Sequence, residues 1–427
     1  MIMAVKRPGR VLLRRGRAGI RLAGLALDQR RALGLPGVAK RAAARLWVAS
    51  RAPVPHRPET RPQPGAVFDA IYAIGYWEGE PKRYRVFNMA EGLRAAGYAV
   101  HVMPFDRLDE IRCHRWRATA LVLFRAEYDR LAGIAEVLAY ARAAGMRVFY
   151  DVDDLVFDPA LADRIDGLKL MGAHQRRQFV AAISRRRRLL LACDLASVST
   201  APLARAVAAL GPPSIVIPNS LNREQLLLAG EIAHAARVAD DKVRIGYFSG
   251  TRTHQRDFAE CERALLEIME RFHRVRFRLV GYLDLGPQWQ RYGDRVERMG
   301  FLPPGDLLRA IAETDINLAP LQRGNPFCEA KSELKFFEAA LVRVPTIASA
   351  TEPFATAIED GVNGCAVRDY DEWRFALERL VLATALRKKM GEAAKARALA
   401  RYSPDAVIPL AAAALGIGAV PATAKSA

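Results

Sequence analysis

The chain has 427 residues, 51% of them hydrophobic, so its length accommodates two ordinary α/β domains with large buried cores. Five scattered cysteines without a C-x-x-C pair exclude a disulfide framework and a zinc–thiolate site, and we expect reduced thiols in a cytoplasmic protein. The formal net charge is +19 at pH 7, and it is unevenly distributed.

Residues 1–65 carry most of the excess positive charge. They contain 15 Lys or Arg against Asp28 and Glu59, a net +13, whereas the remaining 50 Lys or Arg and 44 Asp or Glu give only +6. Arginines interspersed with Leu, Ala and Val predict one or two basic amphipathic helices, and a Pro-rich linker follows. No apolar run approaches the roughly 18 residues of a membrane-spanning helix. The arginines also argue against a cleaved signal peptide.

For this segment we favour an interfacial anchor to anionic lipid, with a disordered basic tail as the alternative. Nucleic acid is not an expected partner, because the rest of the chain is nearly neutral and carries no recognisable nucleic-acid module. The expected localisation is therefore cytoplasmic, with peripheral attachment to the inner face of the cell membrane if the segment binds lipid.

Residues 66–225 alternate apolar strand patterns with helical patterns, which predicts a parallel sheet covered by helices. We expect this segment to form one Rossmann-like domain. Its strands are predicted near 68–74, 98–104, 120–125, 146–150, 195–199 and 214–218.

Basic residues follow two of these strands. Arg83 and Arg85 lie at the start of the helix after the first strand, and Arg125 follows the third strand at its carboxyl end. Each is a candidate to bind a phosphate or another anionic group. The alternative is that they are solvated, as arginines at a helix start often are.

Three carboxylates, Asp151, Asp153 and Asp154, follow the fourth strand. Because like charges this close repel one another, such a cluster normally has a cation, a hydroxyl-rich ligand or an arginine beside it. One interpretation is a D-x-D site for Mg²⁺ or Mn²⁺. We favour contact of Asp153 and Asp154 with the hydroxyls of a ligand. A structural role, with Asp151 paired to an arginine and Asp154 capping a turn, is the third interpretation.

A long segment before the fifth strand ends in four consecutive arginines, Arg185 to Arg188. A solvated helix face is the simplest interpretation, and contact with an anionic acceptor or a membrane is the alternative. Residues 226–242 are predicted to connect this domain to a second Rossmann-like domain at 243–402, and 403–427 form a C-terminal tail.

The second domain opens with the strand Val243–Ser249, which leads into Gly250 and then a helix. Glycine lets the backbone approach a pyrophosphate, and open α/β sheets bind ligands at the carboxyl ends of their strands. Arg252, His254 and Arg256 follow, and they can supply positive charge and hydrogen-bond donors to a diphosphate. Further strands are predicted at 277–281, 315–319 and 344–348.

Residues 325–349 predict a loop, a helix and a buried parallel strand. Ser332 is expected to cap the helix, whose free N–H groups and positive dipole end favour an anion. Lys331, Lys335 and Glu338 share one helical face, which suits a basic contact to phosphate and a carboxylate contact to ribose or sugar hydroxyls. An ordinary Lys/Glu surface face is the alternative.

Together these motifs resemble glycosyltransferase family 4 over about residues 66–403. The resemblance implies the GT-B fold, an α/β fold with two Rossmann-like domains whose parallel sheets face a central cleft, and a C-terminal helix that returns to the first domain. It rests on the Gly250 loop, IPNS at 217–220, PLQRGNPF at 320–327, KFFEAALVRVPTIAS at 335–349 and DGVNG at 360–364.

The resemblance implies a retaining, metal-independent glycosyltransferase with no cofactor, which takes a nucleoside diphosphate sugar as co-substrate. The acceptor would be a hydroxyl of a glycan, lipid-linked or cell-envelope molecule, as in polysaccharide biosynthesis. Glu338 matches the second glutamate of the family's Glu, seven residues, Glu motif, which contacts the donor ribose. Ala330 occupies the first position, so we expect Glu329 or Lys331 to replace that glutamate.

The resemblance also implies that residues 66–225 form the acceptor-side domain, with Arg83, Arg85 and Arg125 on the acceptor side. It implies further that Asp153 and Asp154 orient sugar or acceptor hydroxyls across the cleft. The residues expected to act in catalysis are Asp153, Asp154, Glu329 and Glu338.

Two other functions fit the same two-domain frame. A nucleotide-sugar epimerase would consume the donor without an acceptor. A non-catalytic protein that binds a nucleotide sugar and is tethered by its basic tail would bind without turnover, and the absent first glutamate gives this alternative some support.

Overall fold

The computed structural model describes residues 61–75, 81–169, 171–234, 240–250 and 254–418. The predicted basic segment 1–65 lies almost entirely outside these residues. Within them, two six-stranded parallel sheets are covered by helices, so the predicted fold class of two Rossmann-like α/β domains is confirmed.

The first domain contains all six strands that the sequence predicted. Its strand order is β2-β1-β3-β4-β5-β6, and every neighbouring pair is parallel. The strands are β1 (Val67–Ile74), β2 (Val100–Pro104), β3 (Arg117–Phe124), β4 (Arg147–Val152), β5 (Leu195–Val198) and β6 (Ser214–Val216).

Helices cover both faces of this sheet. One turn of π-helix, Arg83–Phe87, precedes the first of them. Turns of 3₁₀-helix lie at Phe105–Arg107, Tyr128–Arg130 and Pro159–Arg164. The helices are α1 (Asn88–Ala95), α2 (Glu110–Cys113), α3 (Ile134–Ala143), α4 (Asp166–Lys169), α5 (Ala173–Ala192) and α6 (Ala201–Ala208).

The second sheet has the strand order β12-β11-β10-β7-β8-β9, again all parallel. The sequence did not predict β9, whose VERM carries two charged residues, or β12, which has only three residues. The strands are β7 (Val243–Ser249), β8 (Val275–Gly281), β9 (Val296–Met299), β10 (Ile316–Ala319), β11 (Thr346–Ser349) and β12 (Cys365–Val367).

The predicted connector 226–242 is helical in its first part, where α7 packs against the second domain through Ala229. A 3₁₀ segment, Pro287–Arg295, precedes β9. From the connector to the end of the second domain, the helices are α7 (Arg223–His234), α8 (Gln255–Arg271), α9 (Pro304–Ala312), α10 (Pro326–Glu329), α11 (Leu334–Leu341), α12 (Glu352–Ala357), α13 (Tyr370–Leu382) and α14 (Thr384–Tyr402).

The last helix, α15 (Pro404–Leu415), packs against the first domain. Its Val407 and Ile408 lie in the same apolar cluster as Leu93 of α1. A Cβ atom on Gly92 would be 2.4 Å from Ile408 Cδ1, so glycine at this position lets α1 and α15 approach closely.

The five cysteines all lie in described ranges and are unpaired, and four of them are buried. Burial raises the pKa of the Cys193 and Cys261 thiols well above the ordinary value, so both behave as small apolar core residues. Across the described residues, none of the helices is long and apolar enough to cross a membrane.

The four consecutive arginines lie on α5 and are paired with acidic residues. Arg185 to Arg188 form ion pairs with Glu127, Asp158 and Asp129. Their charge is therefore largely balanced within the first domain, which differs from the simple solvated face expected from the sequence.

Arg85 is 1% exposed and lies inside the first domain. Its Nε and Nη2 donate to the two carboxylate oxygens of Asp151 at 3.0 and 2.6 Å. Nη2 also donates to Ser197 Oγ, and Nη1 donates to the carbonyl oxygen of Ile217. The structure thus corrects the prediction that Arg85 meets an acceptor, because its guanidinium is buried and bonded within the protein.

We predict that Arg85→Met lowers the free energy of unfolding by about 3–5 kcal/mol, because it leaves the Asp151 carboxylate buried and unpaired. Urea unfolding followed by circular dichroism measures the change. The double variant Arg85→Met/Asp151→Leu is expected to recover most of the loss. An unfolding midpoint unchanged by Arg85→Met would show that the pair contributes nothing.

Candidate functional site

A cavity of about 330 Å³ is lined by residues of both domains. Its second-domain wall includes Ser249 and Gly250 at the end of β7 and Ala319 and Pro320 at the end of β10. The strand order of the second sheet reverses between β7 and β10, and open α/β sheets bind ligands at such a switch point. The fold itself therefore favours a ligand here.

One wall of this cavity is organised by Asp257, a residue that the sequence analysis overlooked. Asp257 lies in the first turn of α8 and is 1% exposed. It accepts hydrogen bonds from His254 Nδ1 at 2.8 Å, Lys331 Nζ at 3.3 Å and the backbone N–H of Gln322 at 3.2 Å. Burial alone would raise the pKa of Asp257, but the bond from His254 and the charge of Lys331 outweigh it and hold the pKa well below its ordinary value. Asp257 thus stays ionised and fixes both side chains.

Lys335 adds a second cation to the same wall. Its Nζ is buried 4.4 Å from the centroid of the Tyr247 ring and has no hydrogen-bond partner among the described residues. Burial lowers the pKa of Lys335 to about 8; Asp257 opposes this shift and Lys331 reinforces it. Because a buried ammonium without an acceptor is unfavourable, this position favours the binding of an anion.

His254 differs from its predicted role as a source of positive charge. Burial lowers its pKa to about 4; the hydrogen bond with Asp257 opposes this shift, and Lys331 and Lys335 reinforce it. The imidazole is therefore neutral near pH 7. With Nδ1–H donated to Asp257, the other ring nitrogen is a hydrogen-bond acceptor in a residue that lines the cavity.

The other predicted donor-binding residues are placed differently from one another. Gly250 lines the cavity, and a Cβ there would meet nothing within 4 Å. Arg252 lies outside the described residues. Arg256 is exposed on α8 and is not among the residues that line the cavity. Ser332 does line it but does not cap α11, which begins two residues later; its Oγ accepts a hydrogen bond from Asn219 Nδ2 at 3.0 Å.

Glu338 lines the cavity from α11. Its Oε1 accepts a hydrogen bond from the hydroxyl of Tyr84, which the π-helical turn of the first domain carries. Burial and the neighbouring Glu338 carboxylate raise the pKa of Tyr84 well above its ordinary value, so the phenol keeps its proton. Glu338 therefore links the two domains at the cavity.

The first-domain wall carries Asp153 and Asp154. Arg125, which has a left-handed φ of 46° after β3, donates to Asp153 Oδ1 at 2.6 Å and Asp154 Oδ2 at 2.5 Å. Burial raises the pKa of Asp154, although Arg125 opposes the shift. Arg125 is thus a partner of these carboxylates and does not itself line the cavity. No group of three or more His, Cys, Asp or Glu side chains in the described ranges is arranged to hold a metal ion.

Two further predicted site residues, Arg83 and Glu329, also lie away from the cavity lining. Arg83 forms an ion pair with Glu224 at 3.4 Å. Glu329 Oε1 accepts the backbone N–H of Gly324 at 2.9 Å, so it stabilises its own loop. Of the two residues expected to replace the missing glutamate, only Lys331 lines the cavity.

One part of the cavity is apolar, and the sequence analysis did not identify it. Phe248, Val280 and Leu302 line it together with Phe301, whose side chain is 49% exposed. The Phe301 ring stacks on Tyr282 with centroids 6.2 Å apart. Such a slot accommodates a flat ring. The available signal was the pair of bulky apolar residues directly after Gly300.

Residues 252–410 match the protein family described as glycosyl transferase-like. This match begins just after Gly250 and extends into α15. The matched range contains Lys331, Lys335 and Glu338, which line the cavity, and Asp257, which holds Lys331 in place. No curated protein matches the sequence.

Solved structures share the fold at low sequence identity. HepE of Anabaena in complex with UDP is 14% identical with a TM-score of 0.52, covering 82% of this chain and 99% of that chain. Sucrose-phosphate synthase of Thermosynechococcus elongatus is 15% identical with a TM-score of 0.54, covering 81% and 98%. S. aureus TarM is 10% identical with a TM-score of 0.47, and the match covers 69% of this chain. The chain spans only 55% of the length of TarM. The first two similarities establish a shared two-domain GT-B architecture.

We predict that the affinity for UDP, GDP or dTDP, whichever binds, falls by up to about tenfold between pH 7 and pH 9, because the Lys335 ammonium loses its proton above about pH 8. Calorimetric titrations across this range measure the effect. Lys335→Arg keeps its charge throughout and is expected to give a flatter profile. A change in the protonation of the nucleotide itself would affect the wild type and Lys335→Arg equally. Parallel profiles would contradict contact between Lys335 and the anion.

Proposed function

We propose that this protein is a retaining glycosyltransferase of family 4 that moves a sugar from a nucleoside diphosphate sugar to an acceptor hydroxyl. The observation that carries the proposal is the unpartnered Lys335 ammonium beside Lys331, at the switch point of a glycosyltransferase-like domain. Two lysines on one wall match the charge of a diphosphate, and the cavity extends from them to an apolar slot on one side and to carboxylates on the other.

Each part of the donor has a complementary part of the cavity. The base fits the apolar slot at Phe301, and the diphosphate fits between Gly250 and the ammonium groups of Lys331 and Lys335. The ribose hydroxyls donate to Glu338, taking the place of the Tyr84 hydroxyl that occupies its Oε1 in the free protein. The sugar then faces the first-domain wall.

The reaction breaks the bond between sugar C1 and the β-phosphate oxygen and forms a bond between C1 and the acceptor oxygen. The acceptor proton passes to the leaving diphosphate, on the same face of the sugar, and this front-face route retains the anomeric configuration. Negative charge grows on the diphosphate as the bond breaks, so Lys331 and Lys335 stabilise the transition state more than the ground state. Because these lysines supply positive charge, we propose that no metal ion is needed.

The first-domain wall is proposed to hold the hydroxyls that react. Asp153 and Asp154 are fixed by Arg125 and line the cavity, so their free oxygens can accept hydrogen bonds from the sugar or the acceptor. We further propose a lipid-linked or cell-envelope glycan as acceptor, reached through attachment of residues 1–65 to an anionic membrane. The net charge of +13 on that segment supports this attachment.

The direct test is to mix the full-length protein with a panel of UDP-, GDP- and dTDP-sugars, with and without EDTA. Calorimetry follows binding, and a coupled assay follows slow release of the nucleoside diphosphate. Selective binding with turnover that survives EDTA is the expected result. Turnover abolished by EDTA would overturn metal independence, and binding without any turnover would favour a non-catalytic sensor. Vesicles containing anionic lipid, mixed with the protein with and without residues 1–65, test the membrane attachment.

We predict that Glu338→Ala lowers the affinity for the nucleoside diphosphate by about 10- to 100-fold and abolishes transfer, because charge-assisted hydrogen bonds to the ribose are lost. Binding by calorimetry and turnover by the coupled assay measure both effects. Glu352→Ala is the matched control: this glutamate pairs with Arg205 on the surface, away from the cavity. Wild-type turnover in Glu338→Ala would refute the assignment.

A further inference from the structure

Asn219, in the IPNS segment between β6 and α7, carries a buried polar atom without a partner. Its side chain lines the cavity, and the residue is 5% exposed. Nδ2 donates to Ser332 Oγ at 3.0 Å, whereas Oδ1 has no hydrogen-bond partner among the described residues. Buried amide oxygens are nearly always bonded, so one left unpaired at a cavity wall indicates a missing donor.

The position of Asn219 restricts what that donor can be. The bond to Ser332 runs from the end of the first domain to the residue next to Lys331, on the wall that we propose holds the diphosphate. The first-domain wall of the same cavity carries Asp153 and Asp154. The group attached to the diphosphate and facing the first domain is the sugar.

The Asn219 carboxamide is better satisfied by a hydroxyl than by a phosphoryl oxygen. In the structure the Oδ1 atom is the one without a partner, and it needs a donor. A phosphoryl oxygen only accepts, so it would fit only if the amide turned to present Nδ2. A sugar hydroxyl both donates and accepts, so it satisfies the amide in either orientation.

We propose that Asn219 binds a hydroxyl of the transferred sugar and thereby helps to decide which nucleotide sugar the protein uses. The inference rests on the proposed function and adds a residue from the last segment of the first domain to the donor site. It also gives a role to the IPNS segment, which lies outside the range matched by the glycosyl transferase-like family.

The test compares each nucleoside diphosphate with its sugar conjugate on the full-length protein, using UDP with UDP-glucose, GDP with GDP-glucose and dTDP with dTDP-glucose in calorimetry. Asn219→Ala is expected to weaken binding of the sugar conjugate about tenfold and to leave the affinity for the nucleoside diphosphate unchanged. Unchanged diphosphate binding also shows that the variant is folded.

Thr200→Val is the matched control, because it removes another buried hydrogen bond between the domains. Thr200 Oγ1 donates to the carbonyl oxygen of Ala330 at 2.8 Å, and Thr200 does not line the cavity. This variant is expected to lower the thermal midpoint while keeping the wild-type affinity ratio between sugar conjugate and diphosphate.

Deoxy analogues of the sugar conjugate that binds provide a second measurement. The analogue lacking the contacted hydroxyl is expected to bind the wild type about tenfold more weakly and to bind Asn219→Ala no worse than the parent does. Equal losses for diphosphate and conjugate in Asn219→Ala, or no loss for either, would overturn the inference while leaving the proposed function intact. A wild type that binds none of the nucleotides would overturn both.

Discussion

The buried carboxylate of Asp257 is the interaction on which the candidate site depends. It is held inside the second domain by a backbone N–H and the thiol of Cys328, and it uses its remaining capacity to hold His254 and Lys331. Lys331 stays charged next to this buried anion, whereas burial, reinforced by the two ammonium groups, keeps His254 neutral although Asp257 opposes the loss of its proton. One fixed negative charge thus holds a permanent cation and orients a neutral hydrogen-bond acceptor on the same wall.

The two walls of the cavity differ in how their charges are balanced. On the second-domain wall, the Lys335 ammonium group has no hydrogen-bond partner among the described residues, so its charge is available to a ligand. The first-domain wall has two carboxylates already held by Arg125, so their oxygens are oriented without presenting two free negative charges. This asymmetry suits a reaction in which an anion departs from one side and neutral hydroxyls meet on the other.

The sequence predicted the fold, because periodicity carries that information. Helical spacing placed Lys335 in the cavity wall, but the same reasoning treated Arg83 and Arg85 alike, although one lies near the surface and the other is buried. They differ because Asp151, on the distant strand β4, lies beside Arg85, whereas Arg83 pairs with the exposed Glu224. Asp257 and Asn219 were missed for the same reason: an acid near a helix start and an asparagine in a loop are ordinarily exposed, and their burial depends on segments far along the chain.

The packing of α15 on the first domain makes that domain discontinuous in sequence. Its apolar core is completed by residues that follow the whole of the second domain, with Ile408 seated over Gly92. A gene divided between β6 and β7 would therefore give one fragment with an uncovered apolar face and another with an unattached apolar helix. An exchange of donor domains between related proteins would have to preserve two junctions, one near α7 and one between α14 and α15, for both halves to keep their cores.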